Sequence, residues 1–157
     1  MIVAGRLILP ALGLVLAVGS GVLAAAPQPT AARADVSYGP HPHQLLDLYL
    51  PPQGKGPFPV VIWYGALWTP KKHVPPVWAF LPAGCAAIGV QARVMGDAVK
   101  DNIHPPVSVC LLDARQAVQF VRLHAAQWNL DPGLIAVGGS LRGEMFRETR
   151  MVAISRC

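Results

Sequence analysis

The residues with the clearest capacity for chemistry are Ser140 and the two glycines before it. The stretch Leu134-Ile-Ala-Val-Gly-Gly-Ser-Leu-Arg-Gly143 has the pattern of a β-strand that runs directly into a glycine-flanked serine. A serine at a tight strand-to-helix turn presents its hydroxyl to a cleft, and small neighbours relieve the strain of that turn. Gly138 and Gly139 supply them, although the pattern G-x-S-x-G also wants glycine where this chain has Arg142. Ser140 is therefore predicted to be a nucleophile, with a helix-capping serine as the alternative.

The groups that would activate such a serine are harder to find. A serine hydroxyl becomes a good nucleophile when a histidine takes its proton and an acid orients that histidine. After Ser140 the chain has no histidine and no aspartate, and its two glutamates there are too close in sequence to reach the place of the acid. Among earlier histidines, His73 and His104 fall in loops that could line a cleft, and His124 is expected at the exposed edge of a helix.

The elements that must position Ser140 alternate between strand and helix. Continuous apolar runs between turn residues predict buried strands, and apolar residues at steps of three and four predict a helical face. The predicted strands cover residues 35–42, 44–50, 59–64, 86–94 and 135–137, and the predicted helices cover 75–81 and a longer segment from Val107 to about Ala125. This alternation predicts an α/β fold with a mostly parallel sheet and flanking helices.

Two sets of side chains on these elements are predicted to be structural. Asp113 and Arg115, two positions apart on the long helix, diverge and are expected to make separate surface contacts. Trp63, Trp78 and Trp128 are expected in the core, whereas Trp68 would lie beside the serine site. One face of the long helix is expected to be buried, formed by Cys110, Leu111, Ala114, Ala117, Val118, Val121 and Ala125.

The two ends of the chain differ from its middle. Residues 1–34 combine one early cation, an apolar run and a small-residue ending, Ala32-Arg-Ala34, which is the pattern of a signal peptide. Cleavage after Ala24 is a second possibility, and an uncleaved anchor or a misplaced start are the alternatives to export. Residues 142–157 are rich in arginine and have no apolar face, so no strand is expected there. Residues 35–141 are thus predicted to be the folded domain, and 142–157 an aberrant tail after a truncation.

The overall composition excludes several classes of protein. A hydrophobic share of 53% in 157 residues excludes a disordered chain and allows one domain. The net charge of +5 comes mainly from the ends, since residues 35–141 hold seven cations and six acids, so a nucleic-acid partner is not expected. Cys85, Cys110 and Cys157 are expected as buried thiols. His41-Pro-His43 comes nearest to a metal-binding pattern, but without further ligands no metal site is predicted.

Three segments resemble the α/β-hydrolase esterase and lipase family, in particular its secreted carbohydrate-esterase-like members related to feruloyl and acetyl-xylan esterases. Gln44-Leu-Leu-Asp-Leu-Tyr-Leu-Pro51 is similar to the early strand L-D-[VL]-Y-x-P. Pro59-Val-Val-Ile-Trp-Tyr-Gly-Ala-Leu-Trp68 resembles the strand and oxyanion loop P-V-V-[IV]-x-x-H-G-G-x-W, and Asp131-Pro-Gly-Leu-Ile-Ala-Val-Gly-Gly-Ser140 resembles D-P-x-R-I-A-V-x-G-x-S. Together they cover about residues 36–140, the N-terminal half of that domain.

The resemblance implies a serine carboxylesterase-type hydrolase acting on a small-molecule or carbohydrate-linked ester without a cofactor. It assigns Ser140 as the nucleophile and the backbone amides of Gly65, Ala66 and Leu141 as oxyanion donors. Tyr64 stands where the family pattern has histidine. Histidine and acid would lie downstream, so this chain alone is expected to be inactive, with no stable membrane association after signal cleavage. The alternative is a non-catalytic exported interaction module or a non-functional fragment.

Overall fold

The fold is seen in a computed structural model that describes residues 29–65 and 71–139, together with the backbone of 152–153. The strands are β1 (Arg33–Ser37), β2 (Leu45–Tyr49), β3 (Phe58–Tyr64), β4 (Ala86–Gln91), β5 (Leu130–Gly139) and β6 (Val152–Ala153). The helices are α1 (Val77–Phe80), α2 (Met95–Lys100) and α3 (Val107–His124), and a 3-10 turn follows α3 at Ala126–Trp128.

The strands form one mixed sheet in the order β1-β2-β4-β3-β5-β6. The three central strands β4, β3 and β5 are parallel, and β1, β2 and β6 pair antiparallel to their neighbours. Helical crossovers between the parallel strands confirm the predicted α/β fold. β6 pairs two residues of the tail with Ala136 and Val137, so the expectation of no strand within residues 142–157 was wrong.

The core lies against the central strands, as their apolar sequences require. β3 has five buried residues out of seven and β4 has five out of six, which fits strands covered on both faces. The buried side chains with least exposure include Leu46, Leu48, Ile62, Ile88 and Leu130. The core therefore forms where the sequence has continuous apolar runs.

The long helix α3 buries a face that differs in part from the predicted one. Cys110, Ala117 and Val121 are buried as expected, but Leu111 is 66% exposed. Asp113 takes a buried place on this face and is 0% exposed, so its prediction as a surface residue was wrong. The spacing of Asp113, Ala117 and Val121 at four-residue steps places all three on one side of the helix.

The tryptophans and cysteines follow the predictions in part. Trp63 and Trp128 are buried as expected, whereas Trp78 on α1 is 76% exposed, so its assignment to the core was wrong. Cys110 is buried and Cys85 is partly exposed, and both are free thiols. Trp68 and Cys157 lie outside the described residues.

Candidate active site

The candidate site lies at the carboxyl edge of β3 and β5, where the register brings two chain segments together. Trp63 pairs with Gly138 and Tyr64 pairs with Gly139, so both strands end side by side. Gly65 continues from β3, and the next residue in the chain after β5 is Ser140. Ligands of open α/β sheets bind at the carboxyl ends of the parallel strands. The position of Ser140 itself lies outside the described residues, as do those of Ala66 and Leu141.

The two glycines before Ser140 are needed because the neighbouring strand is close. A Cβ on Gly138 would stand 2.9 Å from the Trp63 ring. A Cβ on Gly139 would stand 2.7 Å from the carbonyl oxygen of Tyr64. The sequence interpretation assigned these glycines to the turn around the serine, whereas their contacts show that they also fit β5 against β3.

Gly65, the predicted oxyanion donor that the structure describes, packs against the ring of His73. A Cβ on Gly65 would overlap the His73 ring. With His73 in this position, only glycine fits at residue 65. His73 Nε2 is buried and has no hydrogen-bond partner within residues 29–65 and 71–139. His73 was predicted to be a loop histidine that could line a cleft, and the structure places its ring against Gly65 at the end of β3.

Lys72 anchors the segment that carries His73. Its Nζ forms an ion pair with Asp35 of β1 and a second one with Asp47 of β2 at 2.6 Å. Burial opposes the charge of Lys72, but the hydrogen bonds and charges of the two aspartates outweigh it and raise the pKa of Lys72. Lys72 therefore stays charged and links the segment that carries His73 to the neighbouring strands β1 and β2.

A cavity of about 130 Å³ opens at this edge of the sheet beside Gly65. Apolar residues from β4 and α3 form much of its wall, and three polar side chains reach it: Tyr64, Lys71 and Arg93. A mostly apolar cavity with few polar groups is typical of a site that takes a small organic ligand.

Tyr64, which stands in the histidine position of the family pattern, is held by α3. Its hydroxyl donates a hydrogen bond to the carbonyl oxygen of Ala114 at 2.9 Å. Burial raises the pKa of Tyr64 strongly, and the Asp113 carboxylate adds to the effect. The phenol is therefore neutral at physiological pH and acts as a fixed donor toward the helix.

Asp113 is the centre of a buried polar network below the cavity. It accepts hydrogen bonds from the Arg93 guanidinium at 2.7 Å, from the Arg93 backbone N–H at 2.9 Å and from Gln44 Nε2 at 2.8 Å. The hydrogen bond to Asp113 raises the pKa of Arg93. The network joins α3, the segment after β4 and the start of β2, so it fixes the walls of the site. The helical spacing noted above is the sequence signal that identifies Asp113 as buried.

The other two candidate histidines each have partners close to them in the sequence. His104 is exposed, and its Nε2 contacts Asn102 Oδ1 at 3.1 Å. His124 stacks on Trp128 with ring centroids 5.1 Å apart, and its Nδ1 bonds the Phe120 carbonyl oxygen. The prediction of an edge position for His124 is confirmed.

A mixed sheet with parallel centre, crossover helices and a cleft at the carboxyl edge defines an α/β-hydrolase-type domain, of which this chain is a part. The family model BD-FAE matches residues 46–145, which is well over half of the chain. The chain belongs to the BD-FAE family. The comparison with curated proteins found no match.

The solved structures that are similar to this chain include the following three. A truncated form of a carbohydrate esterase from gut microbiota is 27% identical, with a TM-score of 0.53 over 72% of this chain and 41% of that one. A bifunctional GH43-CE protein of Bacteroides eggerthii is 26% identical, with a TM-score of 0.52 over 68% and 14%. A thermophilic esterase of the Planctomycetes species Thermogutta terrifontis, with propionate bound, is 25% identical, with a TM-score of 0.55 over 72% and 42%. The chain thus spans less than half of each of these proteins.

Within the described residues, no helix combines the length and the apolar character that a membrane crossing needs.

Proposed function

We propose that this protein contributes to the hydrolysis of carboxylic esters with Ser140 as the nucleophile. The observation that carries the proposal is the register of β3 and β5, in which Tyr64 pairs with Gly139. Gly65 and Ser140 follow these partners directly in the chain. An oxyanion loop and a nucleophile that leave adjacent strands at the same edge can act on a single carbonyl group.

The oxyanion donors in this proposal are backbone amides. Gly65 and Ala66 would supply donors from the loop after β3, and Leu141 would supply the amide after the nucleophile. Backbone N–H groups stabilise the negative oxygen of the tetrahedral intermediate whatever their side chains are. The substitution of the pattern histidine by Tyr64 is compatible with this role, because the Tyr64 hydroxyl is engaged with Ala114.

The proton acceptor for Ser140 is proposed to lie outside this chain. His73 lies behind Gly65, but its Nε2 is buried and offers no surface to a substrate. His41, His43, His104 and His124 have other partners or lie at exposed positions. We therefore propose that residues 35–141 are the N-terminal part of the catalytic domain, that histidine and acid come from a further segment, and that the tail departs from the family sequence after residue 145, where the family match ends.

The proposed substrates are small-molecule or carbohydrate-linked esters. We also propose that the protein is exported, because residues 1–34 have the pattern of a signal peptide. Two of the similar structures carry a carbohydrate-esterase description, and the cavity beside Gly65 suits one small apolar group. The proposal needs no cofactor, because attack by serine and charge stabilisation by amides are supplied by the protein.

A non-catalytic exported interaction module is the second candidate. It is favoured by large apolar side chains that α3 leaves exposed, with Leu111 at 66% and Leu123 at 81%. Exposed apolar patches mark surfaces that contact another protein. A folded protein without turnover would support this candidate.

The experiment has two arms. In the first arm, the coding DNA is sequenced beyond codon 157, and both this chain and any extended protein are produced. The second measures hydrolysis of a short-chain aryl ester by each protein, its Ser140→Ala variant and a matched control, Ser37→Ala, at an exposed serine of β1. We expect the extended protein to lose activity by a factor on the order of 10³ or more in Ser140→Ala and to keep it in Ser37→Ala. Equal rates in both variants would remove Ser140 from the mechanism.

A further inference from the structure

Three residues of metal-binding type meet where the turn before β2 contacts α2. His43 Nδ1 and Asp97 Oδ2 are 2.9 Å apart, and His41 lies beside them with its ring centroid 5.0 Å from that of His43. One candidate ligand atom from each of the three residues lies within 4.8 Å of the others. The inference below does not depend on the proposed esterase function.

The turn that carries the two histidines is held in one shape. Pro40 and Pro42 flank His41 and restrict the backbone. The His43 backbone N–H donates to His41 Nδ1 at 3.1 Å, and the His41 backbone N–H donates to Gln44 Oε1 at 3.0 Å. The two imidazoles are therefore kept next to each other before any ligand binds.

The third residue is fixed more firmly. Asp97 lies in the first turn of α2, and its Oδ2 accepts the backbone N–H of Val94 at 3.0 Å. Its side chain is 8% exposed and the His43 side chain is 30% exposed. The carboxylate is thus buried, whereas both imidazoles are partly exposed to solvent.

We propose that His41, His43 and Asp97 bind a first-row divalent cation of the Zn²⁺ type. Imidazole and carboxylate are the ligands that Zn²⁺ and its neighbours accept, whereas Mg²⁺ and Ca²⁺ prefer oxygen ligands alone. In the tautomer with hydrogen on Nε2, the Nδ1 lone pair of His43 faces Asp97. A cation bound between this lone pair and Asp97 Oδ2 takes the place of the proton that the two atoms share when the hydrogen is on Nδ1.

The geometry requires a modest rearrangement. Bonds of about 2.0 to 2.2 Å around a tetrahedral ion separate the ligand atoms by roughly 3.4 Å. The candidate atoms lie within 4.8 Å of one another, so they must approach further to bind one ion, and the half-exposed rings of His41 and His43 are the groups proposed to move. Three protein ligands leave a position for water, and the ion clamps the turn before β2 to α2.

The test titrates the untagged, reduced full chain with Zn²⁺ by calorimetry and with Co²⁺ by visible spectroscopy. His41→Ala removes one ligand and leaves the contact between His43 and Asp97. His104→Ala is the matched control, because His104 is an exposed histidine elsewhere on the surface. We expect one ion per chain and a visible spectrum that is typical of Co²⁺ with a low coordination number. The affinity is expected to fall by about tenfold or more in His41→Ala but not in His104→Ala.

Three results would overturn the proposal. One is the absence of stoichiometric binding, which would leave His43 and Asp97 as an ordinary ion pair. Another is equal affinity in the wild type and His41→Ala. The third is a near-ultraviolet charge-transfer band with Co²⁺, which would place the ion on a cysteine thiolate. His43→Gln is a second variant, and circular dichroism of each protein checks that lost binding is not lost folding.

Discussion

The carbonyl oxygen of Tyr64 lies so close to Gly139 that a Cβ added to this glycine would stand 2.7 Å from it. The contact is between the backbones of β3 and β5, which pair in parallel at this position. Any residue larger than glycine must therefore push the two strands apart next to Ser140.

Gly139→Ala is expected to destabilise the fold by about 1 to 3 kcal/mol, because overpacking against backbone cannot be relieved by a side-chain rotation. Gly96→Ala is the matched control, since its added Cβ would have 4.0 Å to the nearest atom, Val94 Cγ2. In α2 that alanine is expected to be neutral or to stabilise by up to about 1 kcal/mol. Urea unfolding of both variants measures the difference, and equal effects would contradict the role assigned to the contact.

Asp113→Ala is expected to be among the most destabilising changes in the chain. It removes the buried carboxylate that accepts hydrogen bonds from the Arg93 guanidinium and from Gln44 Nε2, which retains its bond to Gln116 Oε1. The loss is expected to be about 3 kcal/mol or more, although the 19% exposure of the Arg93 side chain lets water relieve part of it. Asp101→Ala, at an exposed aspartate, should change stability by less than about 0.5 kcal/mol. A similar small effect at Asp113 would show that the network is dispensable.

Strands β1 to β5 could be predicted from the sequence because each depends on a local pattern, whereas the two-residue strand β6 depends on its pairing with β5. β3 and β4 are continuous apolar runs, and turn residues bound them. Helix α2 was not predicted, because its six residues Met95–Lys100 show no apolar period and depend on Val94 and Asp97 for their first turn. A helix this short is determined by tertiary contacts rather than by its own sequence.

The site could be predicted only in outline. Ser140 and Gly65 follow from patterns at the ends of strands, but the contact of His73 with Gly65 joins two residues eight positions apart in the connection between β3 and α1, where no regular pattern applies. The approach of Asp97 to His43 spans 54 positions in sequence, and no spacing rule covers that separation. Such contacts depend on the strand order β2-β4-β3, which a single sequence does not specify.

The structure bears on where a signal peptide would be cut. The Ala32 N–H donates to the Leu48 carbonyl oxygen at 2.8 Å, and Arg33 pairs with Leu48. Cleavage after Ala34 would remove these contacts of β1, whereas cleavage after Ala24 would keep them. We expect the mature exported protein to begin upstream of Ala32, as measured by mass spectrometry of the intact chain. A mature chain that begins at Asp35 would contradict this.

Tyr64→Phe is expected to reduce the loss of stability at alkaline pH. Burial raises the pKa of Tyr64 above its ordinary value near 10, so the folded state holds the phenolic proton more tightly than the unfolded state does. The stability from this group is complete below about pH 10 and is lost as pH rises toward the folded pKa. The variant should be about 1 kcal/mol less stable at neutral pH, through the lost hydrogen bond to Ala114, and less sensitive to alkali. Urea unfolding at several pH values tests this, and parallel profiles would contradict it.

Gly65→Ala is expected to destabilise the fold because its Cβ would fall within the ring of His73. The His73 ring is partly buried against Gly65, so an added methyl group must displace the ring from this contact. The substitution His73→Ala replaces the ring by a methyl group and should remove the clash. The double variant Gly65→Ala/His73→Ala should therefore be more stable than the sum of the two single changes in unfolding free energy predicts. We expect a coupling energy of about 1 to 3 kcal/mol in this double-mutant cycle, measured by urea unfolding. Strictly additive changes would show that the two residues do not contact each other in solution.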